Sequence, residues 1–474
     1  MDQILYWNEV ALEANRVTHT TGDVTEAQSQ GPVGSARALA IVHLAMHDAY
    51  VGLTGAYEPW LGDRLPEAPA DADPDSAVAA AARTTLAVLH PAQRAFFEAR
   101  HLAAGLVAGK HDAAGHAYGR QVAEEVLRLR AGDPGLGDDG YVPSLARPHH
   151  RVDPDNPGQG YHAPFYGARS RCFAVTTRHQ LDAPPRPGDR AYERALRQVR
   201  GKGVAPHLAG TLPDRLPRRT AAETAVGLFW AYDGARGVGT PPRFYNQIVR
   251  AVARAQGHDT ARNARLFALV NAAMADAGIL CWAEKYRHDL WRPVLGIREH
   301  DSSLGPTGTG EAALDPAGDV GWLPLGAPNT NSVGQKNRTP NFPAYPSGHA
   351  TFGAAALQTV RQFHGRGGRG PDDLADGLEF VSDELNGVSV DNTGTVRPRW
   401  ARRFPDGLWQ MIEENGLSRV YLGVHWSFDA FALDDDGRVD LGQNVGGVRL
   451  GLEVADDLAT HGLRADAAAG PVEP

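Results

Sequence analysis

The chain has 474 residues, with 47 Lys+Arg against 56 Asp+Glu for a formal charge of -9. That acidity argues against general binding of nucleic acid or of an anionic membrane surface. Two cysteines, Cys172 and Cys281, exclude a disulfide framework or a zinc–cysteine cluster, and a composition 42% hydrophobic and 22% charged is that of a globular chain able to bury a large core.

The N-terminus, Met1-Asp2-Gln3-Ile4-Leu5, lacks a basic cap before an apolar run, so no cleavable secretion signal is expected. Helical spacing of apolar residues then predicts helices over 35–51, 75–89, 113–130 and 191–200. In the second half it predicts helices over 220–230, 243–255, 260–282, 348–363 and 406–422. Leu266, Val270, Met274 and Ala277 share one face of the third of these, which should pack against neighbours. Alternating Val/Ile/Thr runs are almost absent. Long Gly/Pro-rich polar stretches, 132–187, 301–343 and 365–373, separate the helices, and loops of that length in a compact protein are usually functional or disordered. The stretch 339–360 is free of charge but carries Pro340, Pro343 and Pro346, which makes it a poor membrane span. The tail after Gly451 reads as frayed.

The expectation is an all-α fold of two packed four-helix-type bundles with long loop excursions. A division near residue 215 gives an N-terminal bundle half, 1–215, and a C-terminal bundle, 216–474, that carries the site. The protein is expected to be soluble, either cytoplasmic or exported without a recognisable signal, with no nucleic-acid or membrane partner. Its oligomeric state is open, a homodimer included.

Chemistry concentrates in three segments. Lys285 and Arg292, seven residues apart, would face one side if a single helix carried both, before Pro293 ends or kinks it; two fixed cations suit a multiply charged oxyanion. Pro346-Ser347-Gly348-His349 precedes an apolar run. Ser347 and the free N–H groups of a helix start would meet an anion there, Gly348 allows close approach, and His349 would handle a proton. In the third segment Arg419 adds a cation, and Asp429, four residues after His425, would hold the imidazole Nδ1–H on a helix and leave Nε2 as ligand or nucleophile. Singly, these read as a solvated basic face, an N-cap beside a structural histidine and a structural His–Asp pair. Together they fit a tetrahedral or trigonal-bipyramidal oxyanion.

Two weaker signals have ordinary readings. His43 and His47 lack the intervening glutamate of a zinc peptidase helix, Leu44 standing there, and are expected to pack structurally; Gly365-Arg-Gly-Gly-Arg-Gly370 lacks the ending of a nucleotide loop and reads as a flexible linker.

The order Lys285…Arg292-Pro293, Pro346-Ser347-Gly348-His349, Ser418-Arg419…His425…Asp429 resembles the type-2 phosphatidic acid phosphatase and vanadium haloperoxidase superfamily. Asp276-Ala-Gly-Ile-Leu-Cys-Trp282, Trp230-Ala-Tyr-Asp233-Gly, Thr240-Pro-Pro-Arg-Phe-Tyr-Asn-Gln and Thr339-Pro-Asn-Phe342 look like the vanadium chloroperoxidases, as does the opening over 5–16. The resemblance covers about 225–432 well. It implies a vanadate cofactor, with hydrogen peroxide, a halide and a small organic acceptor as partners, and halide oxidation to hypohalous acid without a change in the vanadium oxidation state. It makes His425 the vanadium ligand. Lys285, Arg292, Ser347, Gly348 and Arg419 become hydrogen-bond donors to the oxyanion, with Lys285, His349 and His425 catalytic. His349 is then the acid–base group, Trp282 and Phe342 line the halide pocket, and Asp233 backs Arg419 as Asp429 backs His425. Arg287-His288-Asp289 is more polar than the aromatic segment expected there and puts charge near the halide pocket. The alternative is a soluble acid phosphatase, with His425 as the phosphorylated nucleophile and His349 as the leaving-group acid.

Overall fold

The computed structural model describes residues 1–19, 31–106, 110–309, 315–434 and 436–472. Its helices are α1 (Gln3–Thr18), α2 (Gly31–Thr54), α3 (Pro74–Leu89), α4 (Arg94–Leu102), α5 (Lys110–Leu129), α6 (Tyr166–Arg169) and α7 (Arg190–Lys202). There follow α8 (Ala221–Phe229), α9 (Pro241–Ala255), α10 (Thr260–His288), α11 (Pro293–Arg298), α12 (Gly348–Phe363), α13 (Gly407–Tyr421) and α14 (Gly447–His461). Among the described residues the β structure is limited to two two-stranded ribbons, 380–381 with 401–402 and 432–433 with 439–440, and a few isolated bridges. The all-α expectation holds.

Helices α2, α3 and α5 pack on one another, as do α10, α12, α13 and α14, and α10 also lies along α2. The 29 residues of α10 are long and apolar enough to cross a membrane, but 94% of the most apolar stretch is buried inside the protein. Its all-round apolar surface is that of a core helix with neighbours on every side. Apart from helix burial, side-chain amides tie the two helix groups together. Asn8 of α1 donates to His43 of α2 and to Asn246 of α9, and Asn246 in turn donates to Asn271 of α10. His43 and His47 are both buried, with Nδ1 on the Leu39 carbonyl and on Asp48, which is the packing role the sequence predicts.

Two expectations need correction. The tail beyond Gly451 is not frayed, because α14 continues to His461 and residues beyond it return to the core. Gly447 and Gly451, one helical turn apart, let α14 press onto α12: a Cβ at either would lie 2.4 Å from the carbonyl oxygens of Ser347 and Thr351. Past the helix, Ala465 N–H donates to Trp60 and Ala469 N–H to Val175. The glycine-rich stretch 365–370 is likewise no loose linker. Arg361 and Gln358 of α12 hold its carbonyls, Gln358 Nε2 at 2.7 Å from Gly367 and Arg361 Nη1 at 2.8 Å from Gly368.

The long stretch 132–187 is irregular except for α6, yet its residues 172–175 are buried. Asp276 of α10 explains how: its carboxylate accepts from the N–H groups of Phe173, Ala174 (2.8 Å) and Val175 (2.9 Å). Removing that carboxylate strands three buried donors, each worth about 1–3 kcal/mol. We predict that Asp276→Ala lowers unfolding stability by about 3 kcal/mol or more, read by urea denaturation; a change within the noise of the measurement contradicts this account.

Candidate active site

The C-terminal part of α10 borders a cavity of about 280 Å³. Its wall includes Trp282 from α10, Gly348, His349 and Phe352 from α12, Arg419 from α13, and His425, Asp233 and Phe342 from loops. Lys285, Arg292 and Ser347 are buried immediately behind this wall and do not line it.

The local structure around Lys285 and Arg292 differs from the single-helix expectation. Helix α10 stops at His288, with Asp289 in the left-handed region at φ 48, and Arg292 is the extended N-cap residue of α11. Pro293 therefore begins a helix, at the position where its missing N–H costs nothing. The loop 342–346 reunites the two cations. Lys285 Nζ donates to the carbonyls of Pro343 (2.8 Å), Ala344 (3.1 Å) and Pro346 (2.5 Å), while Arg292 Nε donates to Phe342 (2.9 Å). Phe342 also lies over both charges, 5.1 Å from Lys285 Nζ and 4.9 Å from Arg292 Cζ.

Neither cation has a carboxylate partner among the described residues. Arg292 is 1% exposed, and its Nη2 has no hydrogen-bond partner. Burial pushes Lys285 down to about 7, with Arg292 beside it adding repulsion. Arg292 is pushed down to about 9, by burial first. Uncompensated buried charge costs several kcal/mol per ion. An anion in the adjoining space would remove that cost.

The other groups are held in defined states. The first turn of α12 starts at Ser347, whose backbone N–H donates to Asp429 O at 2.8 Å. A Cβ at Gly348 would sit 3.2 Å from the Trp282 ring, so a larger residue would fill space that belongs to the cavity. His349 donates Nε2–H to the Ala231 carbonyl at 2.6 Å, since a carbonyl can only accept, leaving Nδ1 as the basic atom. Burial and Arg419 hold its pKa down to about 3. Arg419 forms a bidentate pair with Asp233, at 2.8 and 2.7 Å, and keeps an unpartnered Nε.

His425 sits after α13 in a turn made by Gly423 at φ +74; a Cβ at Gly423 would lie 2.4 Å from the Gly203 carbonyl oxygen. Its Nδ1 lies 2.8 Å from Asp429 Oδ2, as the spacing predicts, although a turn and a short 3₁₀ segment, not an α-helix, create the approach. Nε2 accepts from Arg292 Nη1 at 2.8 Å. Burial and the surrounding cations keep the ring neutral, and burial raises Asp429 to about 7.

The charge expected near the halide pocket from Arg287-His288-Asp289 is absent from it: none of the three lines the cavity. Arg287 and His288 turn to Glu284, and Asp289 accepts from His149 at 2.9 Å. Trp282 and Phe342, the residues the resemblance assigns to the halide pocket, both line the cavity with ring centroids 4.8 Å apart. Sequence reasoning missed His19, His162 and Arg338, which also line the cavity. They lie outside the three motifs, in loops or at a helix end, and carry no spacing signal.

Family models for the N-terminal domain of vanadium chloroperoxidase and for its second helical-bundle domain match residues 1–172 and 265–451. The chain is 36% identical to the vanadium chloroperoxidase of Curvularia inaequalis, with 97% of this chain and 90% of that protein covered. The structure of a bacterial vanadium-dependent iodoperoxidase superposes with a TM-score of 0.63 at 20% identity, covering 96% of each chain. That of a bacterial vanadium-dependent chloroperoxidase superposes with 0.59 at 16% identity, covering 91% of this chain and 92% of the other. At such identities the structural likeness is one of fold.

Buried cations without counter-ions make a direct prediction about ligand-linked stability. Orthovanadate at about 100 times its dissociation constant should stabilise the folded protein by about 2.7 kcal/mol. A thermal-shift titration should show this, with most of the shift lost in Arg292→Met; equal shifts in both proteins contradict the anion cradle.

Proposed function

The chain belongs to the vanadium chloroperoxidase family, enzymes that use vanadate to oxidise halide with hydrogen peroxide, and we propose that its vanadate lies in the cavity bounded by α10, α12 and α13. The observation that carries this placement is the pair of buried cations, Lys285 and Arg292, with no carboxylate opposite and with Arg292 Nη2 unpartnered. The donor set fits the group: Lys285, Arg292 and Arg419 supply positive charge, Ser347 and the Gly348 N–H supply neutral donors at a helix start, and His425 Nε2 supplies one basic nitrogen. When bound, vanadate supplies a Lewis-acidic centre that makes peroxide an oxidant for halide without changing its own oxidation state.

The protein groups then divide the remaining work. His425 is the metal ligand, and Asp429 fixes its tautomer by accepting from Nδ1. Lys285, Arg292 and Arg419 neutralise the oxyanion, and Asp233 holds the Arg419 fork in place through two hydrogen bonds. His349 takes the peroxide proton on Nδ1. Its depressed pKa in the absence of an anion rises once negative charge replaces repulsion from Arg419, which brings the ring towards the range where a base is useful. Trp282 and Phe342 present an aromatic wall to the halide and keep bulk water from the two cations behind it. Hydrogen peroxide and halide are the substrates, and a small organic molecule is the acceptor of the oxidised halogen.

Adding orthovanadate to metal-free protein with peroxide and bromide should start bromination of a cyclic diketone, whereas a phosphatase built on the same residues would be inhibited by it. His425→Ala should lose at least about 100-fold in this activity, the usual size of a lost catalytic group. His349→Ala should lose a similar factor while still binding vanadate. Near-normal halogenation in His425→Ala removes the ligand assignment, and loss of vanadate binding alone in His349→Ala removes the proton-transfer role.

The pH dependence of binding has a definite sign. Lys285 is half neutral near pH 7 without an anion and charged with one, so binding above that pH takes up a proton. Vanadate affinity should therefore fall as pH rises from 7 to 9, by up to about tenfold per pH unit more than in Lys285→Met. Parallel curves for the two proteins, by titration calorimetry, contradict the charge role of Lys285.

A further inference from the structure

The cavity has a second polar feature beside the anion cradle, which the halide reaction does not use. His19, the C-cap residue of α1, donates Nδ1–H to the Asn15 carbonyl at 2.8 Å, leaving Nε2 with a lone pair. His19 is 7% exposed, lines the cavity, and has no partner for Nε2. Arg338 lines the same space. It donates Nη2 to the Asp233 carbonyl at 2.7 Å and has no carboxylate partner among the described residues.

Gly234 separates the two groups. A Cβ there would lie 3.7 Å from His19 Nε2 and 3.9 Å from Arg338 Nη2, at a backbone φ of +75 that side chains rarely adopt. The missing Cβ leaves a notch with an acceptor on one side and a cationic donor on the other. A buried nitrogen left unpaired costs about 1–3 kcal/mol, and a guest that fills both sides recovers it. A hydroxyl is the group that does so, donating one hydrogen bond and accepting another. Elsewhere around the cavity stand the rings of Trp282, Phe342 and Phe352, which suit a flat apolar body.

We propose that this notch binds the hydroxyl of a phenol-type organic acceptor, with the ring against the aromatic wall. The proposal rests on the haloperoxidase reading for the supply of hypohalous acid. The hydroxyl donates to His19 Nε2, which increases electron density on the ring, and accepts from Arg338, which fixes the oxygen in place. A ring carbon forms the new carbon–halogen bond as the halogen–oxygen bond of hypohalous acid breaks. The proton displaced from that carbon joins the departing hydroxide, so phenol and hypohalous acid give halophenol and water. His19 and Arg338 are positioning residues, acting on the acceptor and not on the oxidant.

Binding can be read on vanadate-free full-length protein, so that the notch and the haloperoxidase reading are tested apart. The probes are 4-nitrophenol, at a pH where it is neutral, and 4-nitroanisole, which has the same ring but no hydroxyl proton. Wild-type protein should bind the phenol about tenfold more tightly, the worth of one recovered hydrogen bond. His19→Phe should bring the ratio near one, whereas Arg338→Met should weaken both probes, whose oxygens can each accept from it. Equal affinities in wild type, a ratio unchanged in His19→Phe, or undiminished affinity for both probes in Arg338→Met overturns the proposal; the wild-type comparison stands even if a variant fails to fold. In turnover, phenol bromination should give an ortho:para ratio about threefold or more from that of reagent hypobromite, because the ring is held. An identical ratio overturns the acceptor role. Bromide oxidation with no organic acceptor present tests the haloperoxidase reading alone: its failure beside a preserved phenol preference counts against the vanadate assignment, not the notch.

Discussion

Two positive charges taken out of water without a carboxylate to meet them are the constraint around which this protein is organised. A buried lysine or arginine normally shifts its pKa, pairs, or is replaced by an apolar residue, because desolvation costs several kcal/mol. Lys285 and Arg292 are 0% and 1% exposed, and receive backbone carbonyls and aromatic faces instead of counter-ions. Those partners orient the charges while leaving the net positive field intact. A carboxylate at the same place would have stabilised the protein and cancelled the field that attracts an oxyanion.

Much of the surrounding architecture serves to make that arrangement rigid. Pro343 and Pro346 cannot donate to a helix or sheet ladder, so the loop they shape offers its carbonyls to Lys285. Close approach of α14 through Gly447 and Gly451 backs the first turn of α12, where Ser347, Gly348 and His349 stand. Arg419 is treated differently: Asp233 pairs with it, which lowers its cost and fixes its plane, and the Asp233 backbone carbonyl in turn receives Arg338. One acidic residue therefore links Arg419 to the polar notch beside it.

Histidines in the cavity illustrate how tautomers are set by what they cannot avoid. His349 and His19 each spend one N–H on a main-chain carbonyl, and His425 spends its own on Asp429. His19 and His349 are each left with one unengaged basic nitrogen, and that of His425 accepts from Arg292. Burial and nearby guanidinium groups keep His19, His349 and His425 below their usual pKa, so that negative charge entering the cavity acts on neutral bases and not on cations already formed.

The residue pattern by itself determined the all-helical class and most helix positions, and it singled out the residues proposed for the cradle, since periodic apolar faces and the Lys…Arg-Pro, Pro-Ser-Gly-His and Arg…His…Asp spacings are local properties of the chain. It also misled where a spacing suggested a helix: Lys285 and Arg292 meet across a break at Asp289, and His425 meets Asp429 through a turn, because seven and four residues can be bridged by more than one backbone path. Contacts between distant segments were decided only in three dimensions. The anchoring of 172–175 by Asp276, the seating of the tail on α12, and the meeting of His19 with Arg338 across Gly234 all join residues more than 90 positions apart. Their partners are chosen by where helices pack, and that depends on the shape of the whole core and not on any local run of residues.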